Sequence, residues 1–312
     1  SSQSAAVFAT VLFVSCFSWS QLLAAADATV THSFLGVGKA NRAVIVDEKG
    51  TVAWKFDMPA SDGWVLPNGP VLLALYPTQG FPGGGVVEVE RTTKKVVFHY
   101  KSLQKEVSTV QPLSGGRYLV AELGPMPRAV VLNSKGKVVK TTPLQCQKNN
   151  FHMQTRMLRM LPNGNYLAPH LLDFAVKEYD ASTGKVVRSF ATDDRGRPKR
   201  DWPFTAIRLG NGNTLIATGN GHSVLEVTPG KKIVWKLQQK DLPGITLAWV
   251  TTLEVLPNGH YVIGNCHAGP KNPLVIEIDP KTKKVVWTLD RFADFGNSVP
   301  NSQLLDVKNV IR

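Results

Sequence analysis

Short apolar runs separated by polar turns recur along the chain from about residue 31 onward. An apolar run such as MLRML at 157–161 precedes each Pro-Asn-Gly, and a second run follows it at once. Asn-Gly between two such runs predicts a β-hairpin, because both residues tolerate positive φ. The Pro-Asn-Gly turns lie at 67–69, 162–164 and 257–259, with Gly-Gly at 115–116 and Asn-Gly at 211–212 in equivalent places.

The last glycines of these turns define an internal repeat of 47 or 48 residues. They are Gly69, Gly116, Gly164, Gly212 and Gly259. After each hairpin comes a third apolar run, and a turn then leads to a fourth, such as KVVFHY at 95–100 or KVVWTL at 284–289. Four strands per repeat, rich in β-branched and aromatic side chains, predict one blade of a β-propeller.

The two ends of the repeat pattern predict how the ring closes. Residues 31–57 supply only three strands of a blade, whereas the run SQLLDV at 302–307 falls where another first strand is expected. We therefore predict an all-β, six-bladed β-propeller of four-stranded antiparallel blades, with the first blade closed by the C-terminal strand. The single domain would span 27–312, with blades at about 31–57 plus 300–312, 58–100, 101–145, 150–192, 200–240 and 247–291.

The first residues predict export. Residues 5–26 carry no charged side chain and end in three alanines, which is typical of a signal peptide cleaved after residue 26. A secreted or periplasmic protein with no stable membrane span after cleavage is expected. The alternative is a retained anchor, because an apolar stretch of about 20 residues can span a bilayer.

Charge and cysteine content change this picture little. The net charge of +13 comes largely from paired lysines, as at 94–95 and 283–284, in one recurring place of the repeat. Lysine on exposed outer strands prevents edge-to-edge pairing. The basic cluster at 195–200 reads as a loop, and without a nucleic-acid motif no nucleic-acid partner is expected. Cys146 and Cys266 fall three blades apart, so no disulfide between them is expected.

Two sets of motifs resemble known propellers. The turns DASTGKVV at 180–187 and DPKTKKVVW at 279–287 resemble the repeat of pyrroloquinoline-quinone-type propellers. LPNGNYL at 161–167 and GNGNTLIA at 210–217 resemble bacterial arylsulfotransferase propellers. The resemblance covers residues 31–312 as architecture, and these hairpin motifs say little about chemistry.

The chemistry that the resemblance implies is matched only in part. Quinoproteins of this type usually have eight blades and a vicinal cysteine pair near the cofactor, so pyrroloquinoline quinone is not expected, and no other cofactor is predicted. Arylsulfotransferases place histidines at the inner ends of several blades. His152 is the one good match to that set.

Candidate site residues are those that the repeat places near one mouth of the central channel, where propellers bind ligands by fold-level analogy. They fall at the entry to the first strand, as Glu106 does, or at the end of the second strand and just beyond it. The predicted ligand contacts are Glu122, His152, Gln154, His170, Trp202, His222, Trp249, Asn265 and His267.

Three functional hypotheses follow, and whether the protein is an enzyme stays open. The first is a propeller that binds a small molecule or glycan by stacking on Trp202 and Trp249. The second is an exported hydrolase, lyase or sulfotransferase-like enzyme with His152 or His170 as general acid or base, supported by Glu122. The third is a protein-interaction scaffold or a divalent-metal site drawn from Glu122, His152, His170 and His267. Structural or surface roles are expected for His32, His99 and His260.

Overall fold

The described residues fold into six four-stranded antiparallel sheets. The computed structural model describes residues 31–38, 42–192 and 201–312. The predicted signal peptide at 1–26 and the basic cluster at 195–200 lie outside the described residues. Within the described ranges, no helix is long and apolar enough to cross a membrane.

The strands follow one another in chain order, and each consecutive group belongs to one blade. The strands before blade 2 are β1 (Phe34–Gly38), β2 (Arg42–Val46) and β3 (Val52–Phe56). Blade 2 has β4 (Ala60–Val65), β5 (Val71–Leu75), β6 (Gly85–Val89) and β7 (Val96–Lys101). Blade 3 has β8 (Glu106–Leu113), β9 (Arg117–Leu123), β10 (Arg128–Leu132) and β11 (Val138–Pro143). Blade 4 has β12 (Arg159–Met160), β13 (Tyr166–His170), β14 (Ala175–Tyr179) and β15 (Val186–Ala191).

The remaining elements complete the ring. Blade 5 has β16 (Thr205–Arg208), β17 (Thr214–Ala217), β18 (Ser223–Val227) and β19 (Ile233–Gln238). Blade 6 has β20 (Trp249–Val255), β21 (Tyr261–Cys266), β22 (Val275–Ile278) and β23 (Val285–Leu289), and β24 (Asn301–Leu304) follows. Three 3₁₀ helices lie at Phe151–Met153, Leu171–Asp173 and Gln239–Asp241, and one short α-helix, α1, at Phe292–Phe295.

Blade 1 is built from both ends of the described chain. Strand β24 pairs antiparallel with β1, Leu304 opposite Phe34 and Asn301 opposite Val37, so the sheet order is β24-β1-β2-β3. The N–H of Leu305 also donates to the carbonyl of Ser33 at 2.8 Å. The six-bladed fold and its closure by the C-terminal strand are therefore confirmed.

The hydrophobic core lies between neighbouring blades and not at the centre of the ring. Leu35 and Val37 of blade 1 pack with Leu73 of blade 2, and equivalent clusters occupy the other five junctions of the described sheets. Each fully buried Leu or Val contributes roughly 1.5–3 kcal/mol relative to an exposed one. Because a sheet buries its faces only against its neighbours, this energy depends on a closed ring.

The fourth-strand tryptophans contact the next blade, as expected for inter-blade packing. The Trp54 indole N–H donates to the Arg91 carbonyl at 3.1 Å, and that of Trp235 to the Pro280 carbonyl at 2.9 Å. The Trp287 ring of blade 6 lies edge-on to the His32 ring, with centroids 4.9 Å apart.

The Pro-Asn-Gly hairpins differ from the turn predicted for Asn-Gly. In the 162–164 turn only Gly164 has positive φ, +85°, and the Leu161 N–H donates to the Asn165 carbonyl at 2.8 Å. Three residues therefore form the loop, and the Asn163 side chain accepts the Asn165 N–H at 3.1 Å. The left-handed glycine and the capping asparagine explain the motif better than a two-residue turn.

The first strand of blade 4 is shorter than the run at 157–161 predicts. It is regular only over Arg159–Met160, because Met157 has φ of +42° and turns the preceding backbone away from the strand. This irregular entry segment carries His152 and Arg156.

The first strands line the channel and run in one direction, so the channel has two distinguishable ends. We call the end where these strands begin, near Glu106 and Trp249, the entry end, and the end where they finish, near Val65 and Arg208, the exit end. Between them an ion pair crosses the ring. The Arg159 Nη1 group donates to the Asp62 Oδ2 atom at 2.9 Å, and both side chains are buried.

A buried histidine links the two ends of blade 1 to blade 6. The His32 Nδ1 atom lies 2.8 Å from an Asp306 oxygen, and its Nε2 atom lies 2.8 Å from a Glu277 oxygen. Burial alone would lower the pKa of His32, but the hydrogen bonds and charges of Glu277 and Asp306 outweigh it and raise the pKa. The two carboxylates therefore favour the protonated ring that bridges them, and this structural role agrees with the sequence expectation.

The bridge predicts a pH-dependent contribution to stability. Because the pKa of folded His32 is raised, the contribution is fully present below the unfolded value of about 6.5 and is lost as pH rises through the folded value. We expect His32→Gln to cost roughly 2 kcal/mol at pH 6 and less at alkaline pH, measured by urea unfolding at both values.

The matched control is His99→Gln, which changes an exposed histidine of β7. It should leave the pH dependence of the free energy of unfolding unchanged. Equal pH dependence in His32→Gln and the wild-type protein would contradict the assignment.

Candidate ligand-binding site at the entry end of the channel

A cavity of about 290 Å³ opens at the entry end. It is bounded by the starts of first strands, the ends of second strands and the loops between them. Its lining residues are Tyr76, His152, Met153, Arg156, Leu171, Phe204, Trp249, Thr251, Cys266, His267, Ser298 and Pro300. Most of this surface is apolar.

The apolar wall is a small cluster separate from the inter-blade core. Leu171 and Phe204 are buried, and Met153, Trp202 and Trp249 pack against them. The rings of Trp202 and Trp249 meet edge to face, with centroids 5.1 Å apart and planes at 70°. Trp202 thus supports Trp249, which lines the cavity.

Two polar residues of the wall, His152 and Arg156, are held by a glutamate of blade 3 that lies outside the lining. The Glu106 carboxylate, at the start of β8, lies 2.9 Å from the His152 Nδ1 atom and 3.0 Å from the Arg156 Nη2 atom. The Arg156 side chain is 2% exposed and that of Glu106 10%, whereas that of His152 is 46% exposed. One buried carboxylate therefore holds a buried cation and an accessible imidazole.

Glu106 and Arg156 both lie within hydrogen-bond distance of the His152 Nδ1 atom. Burial alone would raise the pKa of Glu106, but the Arg156 charge and the hydrogen bonds from His152 and Arg156 hold the pKa below its ordinary value. The carboxylate accepts a hydrogen bond from Nδ1 when Nδ1 carries the proton, whereas the Arg156 Nη2 group, 2.7 Å from Nδ1, can donate to it only when Nδ1 does not. In the tautomer that donates to Glu106, the neutral imidazole has its lone pair on Nε2.

Two further polar groups at the cavity stay protonated near neutral pH. Burial raises the pKa of Tyr76 to about 12, and burial likewise raises the pKa of the Cys266 thiol. The Cys266 Sγ atom lies 3.5 Å from the Thr251 hydroxyl, within the buried wall. A thiol in this state is a poor nucleophile.

The Trp249 side of the cavity is held by polar residues outside it. The Asn265 Oδ1 atom accepts the Ala248 N–H at 2.9 Å, and the His222 Nδ1 atom donates to the Ala248 carbonyl. These bonds position the peptide that precedes Trp249. His267, with φ of +63°, follows β21, and its ring centroid lies 6.4 Å from that of Trp249.

The structure brings three of the nine predicted contacts to the cavity wall, namely His152, Trp249 and His267. Trp202 packs behind Trp249, and His222 lines a separate cavity of about 320 Å³. The remaining four, Glu122, Gln154, His170 and Asn265, are fully buried and do not line the cavity.

The buried predicted residues bond to the loops that surround the site. Gln154 exchanges two hydrogen bonds with the Gly124 backbone, at 2.8 and 2.9 Å, and so joins blade 4 to blade 3. Glu122 accepts the Tyr100 hydroxyl at 2.7 Å and the Arg128 Nε–H at 2.6 Å. These bonds position the backbone of blades 2 to 4.

His170, the second catalytic candidate, is committed to internal hydrogen bonds. Its Nδ1–H donates to the Gln154 carbonyl at 2.8 Å, and its Nε2 accepts the Tyr179 hydroxyl at 2.7 Å. Burial lowers the pKa of His170 to about 4, so the ring is neutral at physiological pH.

Sequence reasoning missed several residues of the cavity, including Tyr76 and Arg156. The position of Arg156 could have indicated that it belongs to the cavity, because it follows His152 by four residues in an irregular segment. Glu106 and His152 also hold equivalent places at the entry to successive blades. In the structure these two side chains are in direct contact.

No metal-binding group is found among residues 31–38, 42–192 and 201–312. There, no three His, Cys, Asp or Glu side chains are grouped so as to hold a metal ion.

Comparison with known proteins shows the fold. No protein-family model and no curated protein matches this chain. A protein of unknown function from Bacteroides caccae has a TM-score of 0.75 and 23% identity over 89% of this chain and 100% of that chain. The WD40 propeller domain of Doa1 has a TM-score of 0.59 and 12% identity, covering 91% and 89%. A catalytically inactive virginiamycin B lyase variant from Staphylococcus aureus has a TM-score of 0.57 and 10% identity, covering 86% and 87%.

The buried pair of Glu106 and Arg156 predicts a measurable asymmetry in stability. Glu106→Gln leaves the Arg156 charge without its carboxylate and should lower the free energy of unfolding by about 3 kcal/mol. His152→Gln removes an accessible partner and should cost under about 1 kcal/mol. Urea unfolding of both variants tests this, and equal losses would contradict the described geometry.

Proposed function

We propose that the entry-end cavity binds a compact organic ligand, with an apolar or aromatic part against Trp249 and Phe204 and a polar group on His152. The observation that carries the proposal is an accessible imidazole, held by a buried carboxylate, on the wall of a mostly apolar cavity. Ligand sites are typically apolar concavities with a few fixed polar groups.

The cavity size restricts the ligand class. About 290 Å³ is at the lower limit for small-molecule sites. A substituted aromatic ring or a single sugar unit fits this volume, and both can stack on the indole of Trp249. A glycan would then place one of its sugar units in the cavity.

The binding proposal is tested with a library of monosaccharides and small aromatic compounds. Thermal-shift hits, which report binding to the folded state, are followed by calorimetric titration. We expect Trp249→Leu and His152→Gln each to weaken binding about tenfold or more, from the loss of stacking area or of a hydrogen bond. His99→Gln is the control, and unchanged affinity in both cavity variants would refute the proposal.

A second function is proton transfer by His152, favoured by one observation. In the tautomer whose Nδ1–H donates to Glu106, the Nε2 lone pair is available as a general base. A histidine oriented by a carboxylate is a common arrangement in hydrolases and lyases. Among the solved neighbours is a virginiamycin B lyase whose inactive variant was determined with quinupristin.

Catalysis is tested by assaying the wild-type protein and His152→Gln on lactones, sulfate esters and glycosides. If His152 is the general base, the variant should lose roughly 10²–10⁴-fold in kcat. Full turnover by the variant would exclude this role, whereas loss of binding alone would raise KM and leave kcat unchanged.

The proposal also covers export of the protein and the evolutionary origin of its repeat. We infer that residues 1–26 direct export, so the site would meet ligands outside the cytoplasm. The resemblance of the hairpin motifs to pyrroloquinoline-quinone-type and arylsulfotransferase propellers supports a common origin of the repeat.

A further inference from the structure

A second cavity, of about 620 Å³, lies at the exit end of the channel. Its wall includes Trp64 from the end of β4, Pro162 from a hairpin turn and the C-terminal residues 310–312. The backbone of Ile311 exchanges hydrogen bonds with that of Val255, at 2.9 and 3.0 Å, and so holds this last segment against blade 6.

The charged side chains on the wall of this cavity are all cationic among the described residues. They are the arginines Arg159, Arg208 and Arg312, and no aspartate or glutamate lines the cavity. The partner carboxylates, such as Asp62 and Glu178, contact the arginines but are not part of the cavity wall. An anion that enters the cavity would therefore contact the arginines and not their partner carboxylates.

Two of these arginines retain unused donors. The Nε atom of Arg159 and the Nη1 atom of Arg312 have no hydrogen-bond partner within the described structure, although the side chains are only 5% and 4% exposed. Arg312 donates through Nη2 to the Gly63 carbonyl at 3.0 Å and also to the Asn301 side chain. Both atoms have almost no exposed area, and unpaired buried donors cost stability.

Both guanidinium groups also lie over one indole ring. The Cζ atom of Arg312 is 4.1 Å from the Trp64 ring centroid, and that of Arg159 is 5.2 Å from it. Burial lowers the pKa of Arg312 to about 10, against the opposing effect of nearby carboxylates. The group stays charged near neutral pH, and an added anion would stabilise it further.

We propose that the exit-end cavity binds a small organic oxyanion, a carboxylate or phosphate carried on an apolar or aromatic body. The arginine forks match such oxyanions bidentately. The body packs on the apolar part of the wall, which includes Pro162 and Ile311. The site is distinct from the entry-end cavity, because the Asp62–Arg159 pair crosses the channel between them.

The test is calorimetric titration of the full chain with phenyl phosphate and with benzoate, using benzyl alcohol as the neutral analogue and inorganic phosphate as the anion alone. We expect one or both aromatic anions to bind more tightly than either comparison compound. Arg208→Gln and Arg312→Gln should each weaken that binding about tenfold or more, from loss of one charge-assisted contact.

Arg128→Gln is the matched control, since Arg128 is 23% exposed and paired with Glu122, as Arg208 is 18% exposed and paired with Glu178. Arg128→Gln should bind the aromatic anions as tightly as the wild-type protein does. If Arg312→Gln fails to fold, the result for Arg208→Gln decides. The proposal is overturned if neither anion binds at millimolar concentration, if benzyl alcohol or inorganic phosphate binds equally well, or if Arg208→Gln keeps wild-type affinity. A crystal structure with the ligand in the entry-end cavity would also overturn it.

Discussion

Burial of apolar sheet faces between adjacent blades is the interaction on which the rest of this structure depends. No blade has an internal core of its own, so each junction needs both neighbours, and the last junction exists only when the ring closes. The pairing of β24 with β1 supplies that closure, and the His32 bridge to Glu277 and Asp306 reinforces it from a second direction. Loss of either contact would weaken the junction between blades 6 and 1.

At the centre of the closed ring, many of the buried side chains are polar. The first strands meet there, and their buried polar side chains, such as Asp62 and Glu254, need partners. The Asp62–Arg159 pair satisfies this constraint by joining blades 2 and 4 across the channel. The two mouths of the channel differ in chemistry: the entry end is mostly apolar with two histidines and one arginine, and the exit end is lined by three arginines.

The entry end shows how a rigid scaffold orients a small number of side chains. Glu106 comes from a strand, whereas His152 and Arg156 come from an irregular segment that Met157 turns away from strand geometry. The buried polar residues around them bond mainly to loop backbones. In this way a site with few exposed polar groups rests on many buried ones.

Three of the nine predicted contacts line the cavity and six do not, and the difference has a physical reason. Repeat position placed these residues at equivalent strand ends, because the hairpin turns recur every 47 or 48 residues. It could not tell which side chain would face the cavity, since successive residues of a strand point to opposite faces and the loops of the blades differ. Glu122 and His170 therefore point to partners away from the cavity, in their own or the neighbouring blade, whereas His152 and Trp249 line the cavity.

The 47–48-residue repeat by itself determined the number of blades, the strand order and the closing strand, because these follow from local turn chemistry and from the need to bury every sheet. Only the tertiary structure decided the pairing of Glu106 with His152 and Arg156, and the convergence of Arg159 and Arg312 on Trp64. These contacts join residues 46 to 248 positions apart in the chain. Such contacts depend on how the ring brings blades together, and no local pattern encodes that.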